Sequence, residues 1–290
     1  MPKNAAAAVT PIGDADVGAV ALFFHQHLNA RVAAQDWAAA MQAPWQVDPP
    51  NHGFCLRVGE RIVGAYLALY ATRLVEGQPE RFCNLGAWCV LEEHRFSSVR
   101  LVKALLSQEG YHFTDLSPSG NVLALNQRLG FKFFDTSTAL VANLPWPSWP
   151  GRSRISADPV VLQHTLQGPD LDIYHDHAQA PGAHHLLLTK PGLRYAFVIF
   201  RRDRRRNLRL FANLLYVSNG PLLSQLSHQL ARYLLVHHRL VATLAELRVV
   251  GERLHPSVML SSPRRKMFRS ETLNAAHVDY LYSELVAMEW

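Results

Sequence analysis

Apolar and polar positions alternate along this chain in runs that change period several times. "DADVGAVALFFHQHLNARVAAQDWAAAM" has helical spacing, with Asp14 or Asp16 placed to cap its start. "GFCLRVG" and "RIVGAYLALYAT" are apolar runs on either side of Gly59, the pattern of a hairpin. A loop with Gly77 and Pro79 leads into a third strand, "RFCNLGAWCVL". The helical pattern "SVRLVKALLSQ" follows, with Val99, Val102, Leu105 and Leu106 on one face. "YHFTDLS" predicts a short strand, and "GNVLALNQRLGF" a short helix closed by Gly130. The expected class is α/β, with helices layered on a mixed sheet.

A similar order recurs further on. "HHLLLTKPG" and "RYAFVIFRR" predict strands, and "LRLFANLLYVS" a longer one. A helix, "LLSQLSHQLARYLLVHH", comes after the turn "NGP", then the strand "ATLAELRVV". The long strand starts at Phe82 in one half and Leu208 in the other; the strand after the helix starts near Tyr111 and Thr243. These matching intervals predict a diverged internal duplication. The alternative is an unrelated α/β domain of the same order. Between the halves "NLPWPSWPGRSR", Asn143–Arg154, reads as an extended connector. The expected division is therefore residues 1–142, a linker at 143–154, and residues 155–290, with the cut near Pro150. The closing "VDYLYSELVAMEW" reads as an amphipathic helix whose Tyr280, Tyr282 and Trp290 pack in a core or interface.

Composition narrows the class. The chain has 290 residues, 49% apolar and 18% charged, enough for two packed cores. Three cysteines, Cys55, Cys83 and Cys89, lie on apolar runs, and their odd number argues against a disulfide framework. With no signal-peptide core and no apolar run near the roughly 18 residues of a membrane span, a cytoplasmic protein without a membrane partner is expected. The formal net charge of +6 permits an anionic ligand without demanding nucleic acid.

The chemistry concentrates in "CVLEEHRFSSVRLVKALL", Cys89–Leu106. Strand, tight turn and helix build a backbone cradle for phosphate, because the first N–H groups of a helix lack internal partners and sit at its positive end. Such cradles ordinarily use glycine, and this one has none.

The segment resembles the coenzyme-A-binding motif of the GCN5-related N-acetyltransferase superfamily, in which Arg/Gln-x-x-Gly-x-Gly/Ala joins a strand to a helix. Arg95 falls on the opening position, and Ser98 and Arg100 on the two glycine positions. "NQRLGF" resembles that family's short helix and its ending at Leu129, Gly130 and Phe131. The resemblance covers about residues 10–140; the second half resembles an eroded further copy, with "SNGP" at its turn.

It implies two N-acetyltransferase-like folds in tandem, with acetyl-CoA or another acyl-CoA as co-substrate and no metal. The acceptor would be a small-molecule or peptide amine. Cys89, Val90, Arg95, Phe96, Ser97, Ser98, Val99, Arg100 and Asn126 are the implied cofactor-binding residues. The oxyanion donor would be a backbone N–H near Cys89 or Val90. Asn126 stands where the family often has a proton-donating tyrosine, and asparagine cannot supply a proton. The general base is not identified; Glu92 and Glu93 read as turn carboxylates, and Cys89 as a core thiol.

Two other functions remain open: a protein of this fold that binds without turnover, and a nucleic-acid-associated protein. The second would use "FRRDRRRN" and "PRRKMFRS", but both are poor in interleaved aromatics and read as a solvated turn and a basic loop. The histidines, including His175 and His177 on one expected strand face, lack metal-ligand spacing.

Overall fold

The computed structural model describes residues 7–147, 153–205 and 208–289. The end of the Pro/Trp connector, two residues of the arginine-rich hairpin, and Trp290 lie outside them. The first half holds strands β1 (Ala8–Pro11), β2 (Gly53–Val58), β3 (Arg61–Val75), β4 (Gln78–Val90), β5 (His112–Asp115), β6 (Lys132–Phe133) and β7 (Thr138–Ala142). Its helices are α1 (Val17–His27), α2 (Ala34–Met41), α3 (Ser98–Leu106) and α4 (Gly120–Arg128). The second half holds β8 (Arg154–Ser156), β9 (His184–Thr189), β10 (Ala196–Arg205), β11 (Leu208–Val217), β12 (Ala242–Glu246), β13 (Val258–Met259) and β14 (Met267–Arg269). Its helices are α5 (Pro159–Thr165), α6 (Pro169–His177), α7 (Gly220–Gln225), α8 (Ser227–His238), α9 (Leu247–Val250) and α10 (Glu284–Ala287).

These strands form two mixed sheets of seven, ordered β1-β2-β3-β4-β5-β14-β6 and β8-β9-β10-β11-β12-β7-β13. Position by position the pairing sense is the same in both. All neighbours are antiparallel except β4 with β5 and β11 with β12, which are parallel. The sixth position is exchanged: β14 enters the first sheet between β5 and β6, and β7 enters the second between β12 and β13. Sheet membership thus crosses the connector in both directions.

Burial explains the patterning. β3 is buried on both faces from Val63 to Ala71, so its sequence is a continuous apolar run rather than an alternation. One face, with Leu67 and Leu69, joins a core shared by both sheets, which also takes Phe197 and Ile199 of β10 and Leu285–Met288. The other face, with Tyr66 and Ala68, packs on Leu101, Val102 and Leu105 of α3. The second sheet's outer face packs on α7 and α8 through Leu222, Leu226, Leu230 and Leu234.

Several expected elements differ: the helix expected from Leu222 to His238 is two, α7 and α8, and the strand expected from Ala242 to Val250 ends at Glu246 and passes into α9. The helix expected over 14–41 is two, α1 and α2, broken where the Leu28 and Asn29 amides both bond to the Phe24 carbonyl. His175 and His177 sit on α6, not a strand. The closing segment is helical only over Glu284–Ala287, because it runs through the shared core and is buried on all sides.

Candidate active site

After Val90 the chain makes a 3-10 turn, Glu92–Ser97, that runs directly into α3. Ser98 is the first residue of α3, and its amide donates to the Arg95 carbonyl. Ser97 sits at the N-cap without a side-chain cap bond, Val99 is half-buried, and Phe96 is fully exposed. Glu92 pairs with Arg95 at 3.2 Å, and Glu93 reaches Arg61 at 3.9 Å; all four side chains are well exposed. Arg100 turns away from the loop and donates to the Ala7 carbonyl at 2.5 Å. Arg95 is left as the exposed cation of the turn, since a surface pair of this kind holds it weakly.

Beside the turn, the first sheet opens. β4 and β5 pair only at Phe82–Asn84 and His112–Thr114. Beyond that the strands part, and β4 keeps an unpaired edge from Leu85 to Val90. A bulge sharpens the opening: between Tyr66↔Trp88 and Ala68↔Leu85, β3 advances two residues and β4 three. The gap is a cavity of about 300 Å³ lined by Tyr66, Gly86, Ala87, Trp88, Asp115 and Ser117, among others. Tyr66 and Trp88 stack at 4.8 Å to form one wall. Of the strand residues implied as donors, Cys89 and Val90 stay in the ladder opposite Ala65 and Gly64. The Cys89 thiol donates to the His27 carbonyl and is pushed up in pKa by burial. The bulge that breaks the ladder lies upstream, at Gly86–Ala87.

Asn126, on α4, is wholly buried and donates through Nδ2 to Asp115 Oδ2 at 2.7 Å. Asp115 lies near Glu284, which comes from a distant part of the chain. The Glu284 amide donates to Asn84 Oδ1, and Ser117 Oγ donates to Glu284 Oε1 at 2.6 Å. Burial, then the nearby Glu284 charge, push Asp115 up to about 7, and burial also raises Glu284. Two carboxyls buried near one another resist double ionisation. Glu284 Oε2 and Asn126 Oδ1 are buried without a partner.

Sequence reasoning missed Asp115, Glu284 and the bulge. Gly86 inside a strand was the available signal for the bulge. Nothing adjacent in sequence marks Asp115 and Glu284 as neighbours. Elsewhere, His177 is buried against Trp45 and Tyr282, and no three His, Cys, Asp or Glu side chains among the described residues could hold a metal. No described helix is long and apolar enough to cross a membrane.

No family model and no curated protein sequence matches the chain. Its similarity to solved structures is extensive. A GCN5-related N-acetyltransferase from Anabaena variabilis aligns at TM-score 0.56 and 11% identity, over 91% of this chain and 72% of that one. One from Kribbella flavida aligns at 0.59 and 12%, over 91% and 70%. The GCN5-related glucosamine N-acetyltransferase region of a fungal multi-domain β-N-acetylglucosaminidase aligns at 0.58 and 12%, over 92% of this chain and 38% of that protein. At such identities the likeness is one of fold. The chain is an α/β protein with the fold of the GCN5-related N-acetyltransferases, laid out as two mixed sheets.

Proposed function

We propose that the chain is an N-acyltransferase that moves an acyl group, acetyl in the first instance, from its coenzyme A thioester to an amine. The observation that carries this reading is the opening between β4 and β5, with a bulged strand on one side and a buried carboxyl pair at its base. The reading assigns acyl transfer to residues 1–142 and β14, treats 143–154 as connector, and gives residues 155–290 the role of shaping the acceptor side.

The cleft fits a thioester arm. The free β4 edge offers backbone N–H and C=O groups to an amide-bearing chain, as a further strand would. Residues 92–98, with Arg95, would hold the diphosphate, the N-terminus of α3 adding its positive end. Arg100 is absent from that set, because it is bonded to Ala7.

Transfer needs an unprotonated amine, a donor for the developing oxyanion, and a stable leaving thiolate. Asp115, in its deprotonated form, takes the ammonium proton. The amine then attacks the thioester carbonyl, forming the C–N bond, and N–H groups of β4 at Gly86–Trp88 receive the oxyanion. Collapse breaks the C–S bond, and the nitrogen gives up its second proton to solvent as the neutral amide forms. The thiolate, of pKa about 8.5, leaves without help from a tyrosine and is protonated by solvent. Asn126 acts indirectly, by holding Asp115 in place.

The test is acetyl-CoA binding by calorimetry, then release of free thiol with a panel of amines. Micromolar binding weakened by Arg95→Ala, with turnover lowered about 10²-fold or more by Asp115→Asn, is expected. Absence of both binding and turnover overturns the reading.

A further inference from the structure

The arginine-rich strand after Phe200 does not form a solvated turn. Alternation along β10 puts Arg201 and Asp203 on the face of Phe197 and Ile199, turned toward the first sheet. Both are more than nine-tenths buried. Asp203 is supplied at one oxygen: Oδ1 accepts from Arg264 Nη1 at 3.0 Å and from the Arg204 amide at 2.8 Å, while Oδ2 is buried without a partner. Arg264 also donates to the Arg204 carbonyl at 2.9 Å. Arg201 makes no direct ion pair among the described residues. Its Nε is buried with no partner, and no carboxylate lies within 4 Å of its guanidinium among the described residues. The Asp203 and Glu284 carboxylates act on its charge from a distance, but neither pairs with it directly, and a buried guanidinium with an unbonded Nε favours an anion in contact.

Arg201 lines a cavity of about 360 Å³ with Arg31, Arg204 and Arg264, against Asp203 as its one carboxylate. This cavity adjoins the cleft between β4 and β5, since Asn29 and Ser117 line both. Ser117 is the residue that donates to Glu284, and Leu285, next in the chain, lines the arginine cavity. A single small molecule can therefore reach the arginines and Asp115 together, with Glu284 just behind Ser117.

We propose that the acceptor amine carries an anionic group, a carboxylate or a phosphate, which Arg201 and Arg264 bind while the amine reaches past Ser117 to Asp115 and Glu284. This assignment rests on the acyl-transfer reading for the amine's fate, but not for the anion site. The arginines select for the acceptor's charge, and the carboxyls repel a misplaced anion, so a zwitterionic amine binds in one orientation.

Two measurements on the full chain test it. Inorganic phosphate is titrated calorimetrically into wild type, Arg201→Met, Arg201→Lys and Arg264→Gln, with no acyl donor present. Acetyl transfer is then compared within matched pairs: propylamine with β-alanine, and glucosamine with its 6-phosphate. Phosphate binding that falls at least tenfold in Arg201→Met and is partly kept in Arg201→Lys is expected. In each pair the charged member should lead by tenfold or more in kcat/KM, and the lead should vanish through KM in Arg201→Met. If that variant does not fold, Arg264→Gln, at a half-exposed position, should raise KM for charged acceptors alone. No phosphate binding by wild type, or equal kcat/KM within each pair, overturns the anion site. Arg201-dependent phosphate binding with no acetylation of any amine would instead keep the anion site and sink acyl transfer.

Discussion

At the scale of single residues, Asp115 sets opposing demands on activity and stability. Its carboxyl is raised to about 7 in the folded protein, first by burial and then by Glu284, above its ordinary 3.8. The folded state thus holds a proton that the unfolded state has released between those values, and stability is lost as pH rises from about 4 to about 7. Asp115→Asn removes that loss. Thermal unfolding should show no gain for the variant near pH 4 and a gain of about 1–3 kcal/mol at pH 8. Activity should move the other way, as in the test above. In wild type, kcat/KM should rise with pH through about 7, because only the deprotonated carboxylate accepts the ammonium proton. A profile flat from pH 5.5 to 8.5 would remove Asp115 as the base. These residues were the least legible ones. "TDLS" reads as the end of a short strand, and the Glu284 that perturbs it arrives from the last stretch of the chain. Arg201 was hidden for a related reason: an arginine run has the composition of a turn, and only β10's pairing register buries one member of it.

At the scale of elements, the cleft depends on a segment that is barely an element at all. Tyr280–Met288 is held by backbone contacts as much as by its one turn of helix. The Gly182 amide donates to the Val286 carbonyl at 2.9 Å, and a Cβ on Gly182 would stand 2.8–2.9 Å from the carbonyl oxygens of Leu285, Val286 and Met288. Gly182→Ala should therefore push this segment, and Glu284 with it, off the cleft. We expect a loss of about 10–100-fold in transfer and faster hydrogen exchange at the residue-182 amide, with both sheets intact. Full activity in that variant would mean that Glu284 need not hold its position. Long strands and strongly periodic helices were legible in the sequence, down to Gly130 with φ +87° closing the turn after α4. The break at Asn29 was not, because "LNARVAAQ" continues a helical pattern and the chain turns there to cover the opening. The glycine-free turn kept its strand-turn-helix form, and its second arginine donates through Nη1 to the Ala7 carbonyl just before β1.

At the scale of the whole molecule, the two sheets are tied by exchanged strands and by a buried ionic junction. Lys266, just before β14, bonds Glu246 at the end of β12 at 2.7 Å, and both side chains are buried. Tyr280 also donates to Glu246, and the Lys266 ammonium lies over its ring. Removing one partner of a buried pair leaves an uncompensated charge. Lys266→Met should thus cost about 3–5 kcal/mol in denaturant unfolding, and adding Glu246→Gln should recover part of it. Additive losses would show the two groups to be uncoupled. The recurrence of strand and helix order was readable from matching intervals in the sequence. The exchange was not, since β7 and β14 are five and three residues long and carry no mark of the sheet they join.

That exchange bears on how the protein comes into being on the ribosome. The first sheet includes the strand opposite β5 only after Arg269 has left the exit tunnel, about 150 residues after β5 itself. Until then β5 presents a bare edge in a half-built sheet, the kind of surface that chaperones shield and that aggregates if left uncovered. The cleft shares this timing, because Glu284 arrives later still. A nascent chain that stalls before β14 carries the turn proposed for the diphosphate but not Glu284 beside Asp115, so synthesis itself defers the proposed chemistry until both sheets are closed.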